Sequence, residues 1–129
     1  MELKTYFVED NSTIRENLIA TLVELASIEP MGWSETESGA GAWLTQPDSK
    51  WELAIVDLAL KQGSGLGVLE ICRGRKPWQR VVVLSNYATA DIRRRCVELG
   101  ADAVFDKSNE IDALVDYCVQ QSPAPSPAA

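Results

Sequence analysis

Short, strongly apolar segments alternate along this chain with longer segments whose apolar residues recur every three or four positions. The clearest of the short runs is residues 81–84, with the sequence VVVL; uninterrupted β-branched runs of this kind are typical of strands buried on both faces. Similar runs occupy residues 3–8, 53–56 and 103–105. Because parallel strands are joined by long, usually helical crossovers, the alternation predicts a parallel sheet covered by helices on both faces.

The segments between these runs have helical periodicity. Apolar residues at spacings of four, four and three predict one buried helix face, formed by Ile14, Leu18, Leu22 and Leu25. Asn11 and Ser12 supply capping chemistry at the start of this helix. Further helices are predicted over residues 40–45, 66–72, 91–99 and 111–118, and Gly100 is expected to close the fourth helix as a left-handed cap.

The second strand is the weakest of the five. Pro30 and Gly32 are expected to end the first strand–helix unit, and residues 33–37 alternate weakly and are mostly polar, which favours an edge strand. Five strand–helix units with this edge predict a flavodoxin-like doubly wound sheet of strand order 2-1-3-4-5. Residues 1–121 are expected to form this domain, and the Pro/Ala/Ser-rich residues 122–129 a disordered tail.

Charge and composition exclude several classes of function. A net charge of −7 argues against nucleic-acid binding. No apolar run approaches the roughly 20 residues of a membrane span, and no signal-peptide pattern opens the chain, so a cytoplasmic location is expected. The chain contains no histidine, which excludes His-dependent catalysis and His metal sites. Three widely separated cysteines in apolar helical patterns are expected to be buried hydrophobes: Cys72, Cys96 and Cys118.

Polar side chains follow each strong predicted strand. The acidic pair Glu9 and Asp10 follows the first strand, Asp57 the third, Ser85 the fourth and Lys107 the fifth. Because the carboxyl ends of parallel strands meet at one edge of a sheet, these residues are expected to converge where the strand order reverses. Clustered carboxylates repel one another, and Mg²⁺ is the kind of hard cation that resolves this repulsion. The lysine ammonium and the serine hydroxyl lie beside these carboxylates in the predicted arrangement. Together these side chains are suited to the transfer of a phosphoryl group to a carboxylate.

Four short motifs mark the strand ends: FVED (residues 7–10), AIVDL (54–58), VLS (83–85) and VFDK (104–107). Gly65 follows Asp57 by eight residues. The order and spacing of these features resemble those of the receiver domain of two-component response regulators. The likeness runs from about residue 5 to residue 120, nearly the whole chain, and is to the stand-alone, chemotaxis-regulator-like type of receiver. The resemblance implies that Asp57 is the phosphoacceptor, that Lys107 and Ser85 contact the phosphoryl group, and that Mg²⁺ is bound by Glu9, Asp10, Asp57 and the backbone carbonyl of Ala59.

The same resemblance implies partners. A histidine kinase or phosphotransfer protein would donate the phosphoryl group, and an unidentified downstream protein would bind the face formed by helix 4, strand 5 and helix 5. Neither nucleic acid nor membrane is expected as a partner, and the chain is expected to be a monomer or weak homodimer. Its own chemistry would be at most self-catalysed phosphorylation and dephosphorylation of Asp57.

Several positions depart from the family pattern and leave alternatives open. Leu60-Lys61 stands where Met-Pro is common, Asn86 where a small residue is usual, Val104 where an aromatic switch residue is common, and Ser108 where proline follows the lysine. These departures motivate an alternative, a phosphorylation-independent pseudo-receiver that acts through protein contacts. A metal-dependent phosphatase with an aspartate nucleophile would need a second aspartate where this chain has Ala59. Tyr87 is a candidate substitute for the aromatic switch residue.

Overall fold

The computed structural model describes residues 2–86 and 88–121. Within these residues, five strands alternate with five helices: β1 (Leu3–Val8), α1 (Ser12–Ala26), β2 (Ile28–Ser34), α2 (Glu37–Leu44), β3 (Leu53–Asp57), α3 (Gly65–Ile71), β4 (Arg80–Ser85), α4 (Ala90–Glu98), β5 (Ala103–Asp106) and α5 (Ile111–Gln120). All neighbouring strands are parallel, in the order β2-β1-β3-β4-β5. The predicted flavodoxin-like fold and strand order are therefore confirmed. Tyr87 and the predicted tail, residues 122–129, lie outside the described residues.

Two apolar cores cover the two faces of the sheet. Alternate residues of each strand point to opposite faces, so that Val81 and Val83 join one core while Val82 and Leu84 join the other. Helices α2, α3 and α4 contribute to the first core, and α1 and α5 to the second. All three cysteines are buried in these cores as free thiols, as predicted: Cys72, Cys96 and Cys118.

Strand β2 begins and ends earlier than the predicted residues 33–37. It spans Ile28–Ser34, and the register to β1 shifts because Thr5 pairs with Pro30 while Tyr6 pairs with Gly32. A proline is tolerated here because β2 is an edge strand and one side of its backbone needs no ladder partner. Pro30 and Gly32, which were expected to end the first strand–helix unit, therefore lie inside β2.

Helix α1 buries only part of the predicted face. Leu18 and Leu22 are buried, but Ile14 and Leu25 are 40% and 58% exposed. The third buried position is Arg15, at 7% exposure. The predicted cap is present, since the Asn11 side chain accepts a hydrogen bond from the Ile14 backbone amide at 2.9 Å.

The remaining predicted helices shift at their ends, and α2 begins at Glu37 rather than at residue 40. Thr36 accepts a hydrogen bond from the Gly39 amide and so caps α2. Gly100 follows α4 with a φ of +103°, as expected for a left-handed cap. In the described part of the chain, every helix is too short or too polar to cross a lipid bilayer.

Candidate functional site

The register of the sheet brings the polar strand ends to one edge. Val8 at the end of β1 pairs with Val56, so that Glu9, directly after β1, lies beside Asp57, the last residue of β3. Ser85 ends β4 and pairs with Asp106. The Lys107 amide donates a hydrogen bond to the Ser85 carbonyl at 2.9 Å, which continues the ladder into the site.

Three carboxylates and one ammonium meet at this edge. One oxygen each from Glu9, Asp10 and Asp57 lies within 4.8 Å of the others. The Lys107 Nζ donates to Glu9 Oε1 at 2.7 Å and to Asp57 Oδ2 at 2.9 Å. The structure therefore brings together four of the predicted site residues that are up to 98 positions apart in the chain.

Burial controls the electrostatics of this cluster. Glu9 and Asp57 are only 3% and 6% exposed. Desolvation raises the pKa of Glu9 above its ordinary value of 4.5, although the hydrogen bond from Lys107 opposes that rise. Burial tends to lower the pKa of Lys107, but its hydrogen bonds to Glu9 and Asp57 outweigh burial, and the pKa lies above the ordinary 10.5. Lys107 is therefore a cation at neutral pH, held between two buried acids.

The loop after β3 closes the site from the side of α3. The Ala59 amide donates to Asp57 Oδ1 at 3.3 Å, and the Lys61 amide donates to Asp10 Oδ2 at 2.7 Å. The Gly65 amide donates to the Leu58 carbonyl at 3.0 Å and fixes the end of the loop. Two of the three acids are thus oriented by backbone amides of this loop.

Ser85 lies at the same edge of the sheet, whereas the positions that depart from the family pattern differ in their surroundings. Ser85 is 7% exposed, whereas Asn86 is exposed in the turn after β4. Val104 is 9% exposed and packs into the first core. The bond between Lys107 and Ser108 is trans, because the described residues contain no cis peptide.

The sequence prediction missed Arg15, a buried arginine beneath the acidic pair. Its Nη1 donates to the Glu9 carbonyl at 2.9 Å and approaches Glu35 Oε2 at 3.3 Å, and its guanidinium lies 4.8 Å from the ring centroid of Trp33. Arg15 therefore fixes the backbone that presents the Glu9 side chain. A signal was available, because Arg15 precedes Leu18 by three positions and Leu22 by seven, on the same helix face.

The donor set fits a hard divalent cation. Glu9, Asp10 and Asp57 offer oxygen ligands from three positions, and Mg²⁺ in proteins is usually bound by one or two carboxylates with water and phosphate oxygens. The net charge of three carboxylates and one ammonium leaves an excess of two negative charges for a cation to balance. The residues present are therefore those that would hold Mg²⁺.

Comparison with known proteins agrees with this arrangement. The family model of the response regulator receiver domain matches residues 6–118. The acid tolerance regulatory protein ActR of Rhizobium meliloti is 35% identical over 68 residues, which cover 53% of this chain and 35% of ActR. This chain therefore spans well under two thirds of that curated relative.

Solved structures share the fold. The response regulator domain of Thermotoga maritima CheB superposes with a TM-score of 0.80 at 16% identity, covering 94% of this chain and 96% of that one. A Burkholderia pseudomallei response regulator, solved with a phosphorylated aspartic acid, a calcium ion and citrate, gives a TM-score of 0.70 at 24% identity, covering 88% and 65%. With a family model that spans most of the chain and a sheet of the same topology, this chain belongs to the response regulator receiver domain family.

Proposed function

We propose that this receiver domain accepts a phosphoryl group on Asp57 from the phosphohistidine of a histidine kinase or phosphotransfer protein. The observation that carries the proposal is the buried cluster in which Lys107 Nζ contacts both Asp57 and Glu9. An oxygen of the Asp57 carboxylate attacks phosphorus, the P–N bond to the donor imidazole breaks, and its electron pair leaves with the imidazole. The products are an aspartyl phosphate and a free donor histidine.

The surrounding residues are suited to the charge that this transfer delivers. Lys107 supplies a positive charge for a phosphoryl oxygen, and Ser85 supplies a hydroxyl at the end of the neighbouring strand. A Mg²⁺ ion held by Glu9, Asp10, Asp57 and the Ala59 carbonyl would neutralise phosphoryl charge. The solved relative with a phosphorylated aspartate and a calcium ion has the same fold, which adds support.

The output of the switch belongs to the same proposal. A phosphoryl group changes the charge at the ends of β3, β4 and β5 and would bias the face formed by α4, β5 and α5 toward a downstream protein. The cytoplasmic location and the monomeric or weakly dimeric state stay predictions from the sequence.

Mass spectrometry after incubation with Mg²⁺ and a small phosphoramidate donor tests the proposal. We expect the mass of the intact protein to rise by one phosphoryl group, and we expect Asp57→Asn to abolish the rise because an amide is a far weaker nucleophile. Asp48→Asn, a change at an exposed loop carboxylate, should leave the rise intact. An unchanged mass in the wild type would favour the pseudo-receiver alternative.

Protonation of Glu9 is expected to control Mg²⁺ binding. Since burial raises the pKa of Glu9 above 4.5, this carboxyl takes up a proton at a higher pH than an ordinary glutamate and then stops serving as a ligand. Mg²⁺ affinity should therefore fall as the pH is lowered from 7, by up to about tenfold per pH unit below the pKa of Glu9. Calorimetric titrations at several pH values measure this, and Glu9→Gln should flatten the profile. An equally steep profile in Glu9→Gln would assign the titration to another group.

A further inference from the structure

We propose that Glu37, at the start of α2, is a positioning residue for the phosphoacceptor site: its carboxylate anchors the loop of residues 58–64 that orients Asp10 and Asp57. The inference rests on the proposed function and extends it to a residue outside the acidic cluster. Glu37 does not belong to the group of acids that could hold the ion. Its effect would pass through the loop.

Glu37 is joined to the far end of this loop by its side chain and its backbone. The Ser64 amide donates to Glu37 Oε1 at 2.9 Å, and the Glu37 amide donates to the Gln62 carbonyl at 3.1 Å. Thr36 and Gln62 form an isolated parallel β-bridge at the same place. The loop after β3 is thus attached to the start of α2 as well as to its own helix.

Two glycines make room for the Glu37 side chain. A Cβ atom at Gly67 would lie 2.5 Å from Glu37 Oε2 and still closer to Oε1 and Cδ. A Cβ atom at Gly63 would lie 2.9 Å from Glu37 Oε1 and closer to its Cβ, and Gly63 has a φ of +86°. The absence of a side chain at Gly63 and Gly67 therefore makes room for the Glu37 side chain beside the first turn of α3.

The near end of the same loop contacts the acidic cluster. The Ala59 amide donates to Asp57, and the Lys61 amide donates to Asp10 at 2.7 Å. Ser64, whose amide donates to Glu37, lies only three positions after Lys61. Loss of the Glu37 side-chain contact would loosen the segment that carries the amide donor to Asp10 and the Ala59 carbonyl, although the backbone contacts of Glu37 and Thr36 to Gln62 remain. Loss of a contact outside the ligand shell of a metal typically changes metal affinity by about 10- to 100-fold.

Two independent variants remove the contact. Glu37→Ala deletes the carboxylate, whereas Gly67→Ala displaces it by occupying its space while introducing the better helix former into α3. Glu37→Gln keeps the Oε1 acceptor and serves as the conservative rescue. Glu29→Ala, at an exposed position on β2, is the matched control.

Three measurements test the proposal: Mg²⁺ affinity by calorimetry, the rate of phosphorylation by a small phosphoramidate, and hydrogen exchange of the Lys61 amide without Mg²⁺. We expect Glu37→Ala and Gly67→Ala each to weaken Mg²⁺ binding roughly tenfold, to slow phosphorylation, and to speed Lys61 exchange. The double variant should be no worse than either single one, because both remove one contact. Glu37→Gln and Glu29→Ala should match the wild type.

Unchanged Mg²⁺ affinity and unchanged Lys61 exchange in Glu37→Ala would overturn the proposal. If Glu37→Ala does not fold, Gly67→Ala decides by the same two measurements. A wild type that accepts no phosphoryl group would remove the proposed function, but Lys61 exchange would still decide whether Glu37 holds the loop.

Discussion

Replacement of Lys107 with methionine is expected to lower the free energy of unfolding by about 3 kcal/mol at pH 8, because removal of one partner from a buried ion pair leaves an uncompensated charge. Here the substitution leaves two buried carboxylates without their shared cation, because Lys107 contacts both Glu9 and Asp57. These two residues are only 3% and 6% exposed to solvent, so their charges then repel each other with little screening. Methionine has a similar length and keeps the apolar part of the contact. Urea denaturation in Mg²⁺-free buffer measures the change.

The pH dependence of the Lys107→Met protein separates this explanation from a simple packing defect. Desolvation already raises the pKa of Glu9, and Lys107 opposes that rise, so the variant should raise the pKa further. A raised carboxyl pKa means that the folded state binds a proton more tightly than the unfolded chain does. The stability of the variant should therefore recover as the pH falls toward 4.5 and decrease as the pH rises through the folded-state pKa of Glu9.

Lys61→Met is the matched control, because Lys61 is an exposed lysine beside the same site. Lys61 contacts Asp10 through its backbone amide, which the substitution keeps. That variant should differ from the wild type by less than about 0.5 kcal/mol, as is usual for surface substitutions. If Lys107→Met were as stable as Lys61→Met at pH 8, the electrostatic account of the cluster would be wrong. A large loss that did not vary with pH would point to packing instead.

The convergence of Glu9, Asp57, Ser85 and Lys107 was predictable because it depends on topology alone. Strong strands with helical crossovers leave few arrangements, and each arrangement of parallel strands brings their carboxyl ends to one edge. The identity of the residues at those ends then predicts the chemistry. An error of one or two residues in a predicted strand boundary does not change this result, because the polar residue after each strand itself marks where the strand ends.

The boundary of β2 and the buried face of α1 were not predictable in the same way. Pro30 and Gly32 oppose strand structure locally, and only the place of β2 at the sheet edge makes them acceptable there. Helix α1 carries apolar residues on more than one face, so periodicity did not reveal that Arg15, rather than Ile14, turns inward. What decides that choice is the Glu9 carbonyl and the Trp33 ring, which are brought close by other elements.

Replacement of Gly65 with alanine is expected to lower the free energy of unfolding by about 3 kcal/mol, at the upper end of the usual cost of overpacking. A Cβ atom at this position would lie 2.7 Å from Leu58 Cα and 2.9 Å from the Asp57 carbonyl carbon, and closer still to the Asp57 carbonyl oxygen. These are backbone atoms of the last residue of β3 and of the residue after it, and backbone atoms cannot rotate away as a side chain can. The gain in helix propensity from glycine to alanine is about 1 kcal/mol at most, so the clash should dominate. Urea denaturation measures the difference.

Gly74→Ala is the matched control for this prediction, because a Cβ atom there has no neighbour within 4 Å and its φ is not positive. It should leave stability within about 0.5 kcal/mol of the wild type. The Gly65 change should also weaken Mg²⁺ binding, since we expect relief of the clash to move the backbone that carries the Asp57 carboxylate. Weakened stability with unchanged Mg²⁺ affinity would mean that α3 moves and the strand end stays in place. Loss of both would show that the close approach of α3 to the Asp57 carbonyl fixes the position of the phosphoacceptor as well as the packing of the helix.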